Sequence, residues 1–270
     1  MAQSDTVNLA LFCDFENVAL GVRDAKYEKF DISKVLERLL LKGSIVVKKA
    51  YCDWERYKEF KATMHEASFE LIEIPHVRMS GKNSADIRMV VDALDLCYTK
   101  AHVDTFVIIS GDSDFSPLVS KLRENDKTVI GVGVKKSSSD LLIANCDEFI
   151  YYDDLVREKE ARKRGRRKAP GKSARSNANG GEKSEDERRQ EALDLVMETV
   201  DALLAERGAE EKLWGSMVKQ ALKRRNPGFS ESYYGFKSFS QLLNEAQTRK
   251  LLTLEPDEKS GGYIVRTAAG

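Results

Sequence analysis

Four aspartates stand where apolar segments end. Asp14 directly follows VNLALFC. Asp112 and Asp114 follow TFVIIS, in the stretch SGDSDFSPL. Asp86 lies in the first turn of an apolar-periodic run after SGKNSA. Apolar segments hold such carboxylates in fixed places rather than on a solvated face, so four carboxylates on three segments can converge on one cleft. Bringing like charges together raises their pKa values unless a cation neutralises them. Hard oxygen ligands suit Mg²⁺ or Mn²⁺. Two such ions, about 3.5–4 Å apart, can activate a water and stabilise the leaving oxygen in phosphodiester hydrolysis. No Cys/His ligand set competes: His65, His76 and His102 are scattered, and Cys13, Cys52, Cys97 and Cys146 form no CxxC pair. That cysteine usage argues against zinc and against a disulfide framework, and points to a reducing compartment, the cytoplasm.

Each residue also has a plainer role. Asp86 alone can complement a helix dipole. Asp112 or Asp114 alone can cap the following helix. Asn17 can bond its own backbone in a turn, or hold Asp14 and a ligand. Asp92 and Asp95 are expected at the surface, since Asp92 is six residues from Asp86, about 240° around the helix. Asp14 has no comparably plain role.

The elements that must position these residues alternate. Strands are expected at 7–13, 44–52, 69–74, 105–110, 128–134 and 148–152. Helices are expected from Asp31 (Ile32, Val35, Leu36, Leu39, Leu40), over 54–67, from Ser84 (Ile87, Val90, Val91, Leu94), over 115–125 and near 138–145. Continuously apolar strands in β-α alternation imply a mostly parallel sheet covered on both faces, an α/β fold. Ligands then bind beyond the carboxyl ends of the strands. A second part contains helices at about 187–205, 212–224 and 238–248, then LLTLE and YIVRT flanking a hairpin loop. Three helices and a hairpin in about 80 residues suggest a small winged-helix (α+β) domain.

The 270 residues carry 44 Lys+Arg and 44 Asp+Glu, a net charge of +0, with 41% hydrophobic residues. That apolar content excludes a wholly disordered chain. The charge is unevenly spread. Residues 1–156 carry 20 basic and 26 acidic side chains, residues 157–189 carry 13 and 6, and residues 190–270 carry 11 and 12. The middle stretch is poor in large apolar residues and reads as a flexible basic linker. No apolar run approaches the roughly 20 residues that span a bilayer. The N-terminus lacks the basic region of a secretory signal.

Asp14-Phe-Glu-Asn17 after an apolar strand, Lys82…Asp86 opening a helix, the SGDSDFSPL segment from Ser110, and the closing DLLIANCDEFIYYDDL together resemble the NYN domain, a member of the PIN-like nuclease group. The resemblance covers about residues 7–155. It implies a PIN-like three-layer αβα fold, in which Asp14, Asp86, Asp112 and Asp114 bind divalent metal, Mg²⁺ or Mn²⁺, for RNA cleavage with the 3′-oxygen leaving. Asn17 and Ser110 match supporting positions. Lys82 sits where the family often has a basic residue, suited to a phosphate or to open solvent. Residues 190–267, above all NPGF…YGFKSFSQLL, resemble an OST-HTH (LOTUS) domain, which implies binding of RNA or of a protein partner.

The reading is therefore a metal-dependent ribonuclease with domains at 1–156 and 190–270 and a linker at 157–189. Lys135 and Lys136 after the 128–134 strand, Arg162, Lys163, Arg164, Arg166, Arg167 and Lys168 in the linker, and Lys223, Arg224 and Lys237 in the second part are the expected nucleic-acid contacts, with Tyr233, Tyr234 and Phe236 as stacking or core residues. Two alternatives stand beside it. One is an RNA-binding platform that does not cut. The other is a haloacid-dehalogenase-like phosphatase, which fits poorly because its second Asp and following Thr/Val are replaced by Glu16 and Asn17. The GVG at 131–133 is only a fragment of a nucleotide-loop motif.

Overall fold

The protein is described by a computed structural model over residues 7–74, 84–157, 185–207, 212–256 and 262–267. Lys82 and Arg162–Lys168, among the expected nucleic-acid contacts, lie outside these residues. The chain divides into two compact units, Met1–Arg157 and Glu158–Gly270.

The first unit runs β1 (Asn8–Asp14), α1 (Phe15–Asp24), α2 (Ile32–Leu39), β2 (Ser44–Cys52), α3 (Lys58–Glu66), β3 (Glu70–Glu73), α4 (Ser84–Thr99) and β4 (Thr105–Ile109). A single 3₁₀ turn (Ser113–Phe115) leads into α5 (Ser116–Glu124), followed by β5 (Thr128–Gly133), α6 (Asp140–Asn145), β6 (Glu148–Tyr151) and α7 (residues 152–157). The six strands are all parallel, in the order β3-β2-β1-β4-β5-β6. This is the α/β, PIN-like αβα architecture expected from the sequence. Alternation along β1 shows the three layers. Leu9, Leu11 and Cys13 pack with Phe15, Val18 and Val22 of α1, Ile32, Val35 and Leu39 of α2 and Met64 of α3. Ala10 and Phe12 pack on the other face with Met89, Ala93 and Cys97 of α4, Leu118, Val119 and Leu122 of α5 and Leu142 of α6.

Several local expectations are corrected. A helix absent from the expected elements, α1, begins at Phe15, directly after Asp14. The buried stripe of α4 is Met89, Ala93 and Cys97, whereas Ile87 and Val91 are 63% and 55% exposed, because the helix is rotated from the phase that Ile87, Val90, Val91 and Leu94 suggested. Asp92 is not a solvated surface residue, since its side chain is only 12% exposed. Leu40, the last residue of the α2 stripe, is exposed just beyond the end of that helix.

In the second unit, α8 (Glu185–Arg207) starts inside the stretch read as linker. Leu213–Trp214 form a short strand, β7, where a helix was expected, so α9 is Gly215–Arg225; α10 (Phe239–Thr248), β8 (Leu252–Pro256) and β9 (Tyr263–Thr267) follow. The antiparallel sheet has the order β7-β9-β8. Val196, Val200, Val218, Leu222, Leu242, Leu243 and Ala246 join the three helices to it.

Candidate active site where the strand order reverses

In a parallel sheet, the crevice for a ligand opens at the carboxyl ends of the strands where the winding direction reverses. Here that point lies between β1 and β4. Cys13 pairs in register with Ile109, so the next residues, Asp14 and Ser110, emerge side by side. The Ser110 hydroxyl donates to Asp14 Oδ2 at 3.0 Å, and the Asn17 amide donates to Oδ1 at 3.4 Å as Asp14 caps α1. The Ser110 Oγ in turn accepts the Asp112 amide at 3.2 Å, and Asp112 Oδ1 accepts the Asp114 amide at 3.0 Å. Asn17 crosses the same gap: its Oδ1 accepts the Gly111 amide at 2.9 Å. Thus Asp14, Asn17, Ser110, Asp112 and Asp114 form one continuous bonded chain across the β1–β4 crevice.

The electrostatics match this crowding. Asp14 is 8% exposed. Burial, then the Asp86 carboxylate, push its pKa up to about 7; the bonds from Ser110 and Asn17 oppose that rise, and Asp112 adds to it. Asp86, in the first turn of α4, is also raised, by partial burial and then by Asp112, Asp114 and Glu16. Asp86 therefore shares the field of the other carboxylates although it comes from a separate segment, the start of α4. Glu16 was not anticipated. Its carboxylate bears on Asp86 while pairing with Arg56 Nη1 at 3.1 Å. The signal was its neighbour Asp14: in a helix starting at Phe15, residue 16 belongs to the first turn.

Glycine contacts close one side of the crevice. A Cβ on Gly111 would lie 2.4 Å from the Ser137 carbonyl oxygen, and one on Gly21 2.4 Å from Ser137 Oγ. The Ser139 amide donates to the Gly111 carbonyl at 2.9 Å. The 135–139 loop is therefore seated directly against the β4 end. Lys135 and Lys136 are exposed on it. The Lys135 amide donates to buried Asp153 at 2.8 Å, and its ammonium lies 5.7 Å from the Tyr151 ring centroid. The fragment GVG serves packing, since a Cβ on Gly133 would meet Ser138 Oγ at 2.4 Å.

Lys223, Arg224 and Lys237 belong to the other unit. The first two lie in the last turn of α9, and the Lys237 amide donates to Gln241 Oε1. Neighbouring Lys219 is paired with Glu231 at 3.0 Å. Tyr234 and Phe236 are core residues, with Tyr234 stacked on Phe229, whereas Tyr233 is half-buried beside Arg188.

The donor chemistry fits a hard divalent cation: the candidate side chains offer oxygen ligands only, and Asp14 is buried among like charges. Among the described residues, however, no three or more His, Cys, Asp or Glu side chains are drawn together tightly enough to hold an ion.

An uncharacterized protein of Methanocaldococcus jannaschii is 28% identical to this chain over 137 residues, which make up 50% of this chain and 54% of that protein. The chain thus spans about half the length of the curated relative it matches. A crystal structure of a protein of unknown function from Vibrio parahaemolyticus is similar over 57% of this chain and 98% of its own, with a TM-score of 0.51 and 26% identity. The family model described as NYN domain matches residues 8–153, which contain every strand of the parallel sheet and all of the bonded crevice. The chain belongs to the NYN domain family, of the PIN-like nuclease group.

Proposed function

We propose that the protein is a metal-dependent ribonuclease whose active site is the β1–β4 crevice. One observation carries this reading: a desolvated aspartate, Asp14, is bonded through Ser110 to Asp112 and lies in the field of the Asp86 and Asp112 carboxylates. Such a site is unfavourable for a protein alone and favourable for one that takes up a cation.

Asp14, Asp86, Asp112 and Asp114 would hold Mg²⁺ or Mn²⁺. When bound, the cation would supply Lewis-acid activation of water and charge stabilisation at the phosphodiester. The chain's own residues do the rest. Ser110 and the Asn17 amide orient both oxygens of Asp14. Asn17 Oδ1 locks the Gly111 amide and keeps the β1 and β4 ends in register. Asp14 would hold the cation as its anion, with its proton released to solvent. Lys135 and Lys136 border the crevice with positive charge, suited to successive phosphates of an RNA strand. The basic stretch Arg162–Lys168 adds sequence-independent attraction. The second unit, with Lys223, Arg224 and Lys237, serves as an OST-HTH-like module that captures RNA or a protein partner. Four buried free cysteines suit a reducing setting such as the cytoplasm.

The test is incubation with mixed RNA substrates in Mg²⁺ or Mn²⁺, comparing wild type with Asp112→Ala. Metal-dependent cleavage lost in the variant supports the reading. A gel shift without cleavage makes the protein a binding platform. Hydrolysis of a phosphomonoester in place of RNA makes it a phosphatase.

A further inference from the structure

The carboxylate of Asp92 is a hub that the site does not use directly. It accepts the Tyr51 hydroxyl at 2.9 Å and Arg88 Nε at 3.1 Å, and Lys49 Nζ stands 3.5 Å away. Tyr51 is fully buried, and it is the register partner of Asp14 across β1 and β2. The Tyr51–Asp92 bond therefore ties α4 to the strand position beside Asp14. The apolar face of α4 packs half-buried Ala85, Val90, Leu94 and Leu96 beside its fully buried residues. Its buried stripe is Met89, Ala93 and Cys97, and its first turn leaves Ile87 exposed. Apolar packing is non-directional, and the Tyr51–Asp92 bond adds an angular constraint to it.

We propose that Asp92 is a positioning residue: it fixes the roll of α4 about its axis and so aims Asp86 at Asp14, Asp112 and Asp114. This role rests on the nuclease reading of Asp86. Asp86 and Asp92 lie about 240° apart around the helix. A roll that frees Asp92 from Tyr51 must swing Asp86. Side chains reach about 5–6 Å from a helix axis, so a roll of about 10° moves the Asp86 carboxylate by about 1 Å. A misplacement of that size at a reacting centre costs about 10²-fold in rate. Three donors converging on one half-buried carboxylate also make the arrangement hard to exchange for another, because a different roll leaves the Tyr51 hydroxyl unpaired.

The experiment compares wild type, Asp92→Asn and Tyr51→Phe by amide hydrogen exchange of the full chain and by RNA cleavage kinetics in Mn²⁺. Tyr51→Phe removes one hydroxyl and keeps the packing, so it serves if Asp92→Asn folds poorly. The expected result is faster exchange confined to the first turns of α4, with β4 unchanged, and a kcat at least about tenfold lower at unchanged KM. Unaltered exchange and kcat in both variants would overturn the proposal, as would faster exchange spread evenly over the unit, which marks a merely structural role. If wild type cuts no RNA, the nuclease reading fails by itself; the exchange pattern at α4 then decides the anchoring, supporting it when confined to α4 and overturning it when unchanged.

Discussion

Asp14 is held between opposing demands. Burial and the neighbouring carboxylates favour its neutral form, while the Ser110 and Asn17 bonds favour its anion. With a folded pKa raised to about 7 from 3.8, its stabilising contribution is full below the unfolded value and is lost as pH rises through about 7. In EDTA, Asp14→Asn should therefore melt higher than wild type at pH 8, by several degrees, and the gap should shrink at pH 5. A gap independent of pH would show that Asp14 ionises freely. With Mn²⁺ present the order should reverse, because only the aspartate gains from the cation. At this scale the sequence was informative where a charge ends an apolar strand, as at Asp14. It misplaced Asp92 at the surface, because the angular distance from Asp86 shows that the two residues differ in face but not that Tyr51 lies beneath the second. Nor does linear spacing reveal that Asn17 bonds to Gly111, a contact spanning 94 positions.

The elements act as fixed supports. β1 passes into α1 without a loop, so the last strand residue is also the helix cap, and its carboxylate points from the strand end. Asp14 and Asn17 are also turn formers, and this hid α1 in the sequence, although Phe15, Val18 and Val22 carry a helical stripe. β7 was hidden for another reason: two residues are too few for any periodicity. The parallel strands were legible because continuous apolar runs bounded by helical periods fit few arrangements besides a sheet covered on both faces. The seating of the 135–139 loop makes a further prediction. Gly111→Ala places a methyl group 2.4 Å from the Ser137 carbonyl. Backbone on both sides has little room to give, so the cost should be about 1–3 kcal/mol, read as a lower melting temperature. Because the same loop carries Lys135 and Lys136, RNA affinity should fall as well. A variant with wild-type stability and affinity would mean that the loop is free to move aside.

Across the whole molecule, the zero net charge averages unlike parts. The NYN unit carries the acidic excess that a cation site requires, and residues 157–189 carry the basic excess. Charge counting in segments made this division legible, but it placed the start of α8 too late, since Glu185, Asp186 and Glu187 read as linker while supplying the favourable acidic first turn of the helix. If the basic stretch captures RNA, then neutralising Arg162, Lys163, Arg164, Arg166, Arg167 and Lys168 should weaken binding and flatten its dependence on salt, by about 0.7 in slope for each single-strand phosphate no longer neutralised. An unchanged slope would make the stretch a spacer.

Asp112 and Asp14 acting together with a cation on RNA are the centre of the proposed function. Its most direct test is cleavage of an end-labelled single-stranded RNA by wild type, Asp14→Asn and Asp112→Asn in Mn²⁺ and in EDTA, with each fold checked by circular dichroism. The expected result is cleavage by wild type in Mn²⁺ alone and a loss of at least about 10²-fold in both folded variants. Cleavage that persists in EDTA, or in either variant, would contradict it.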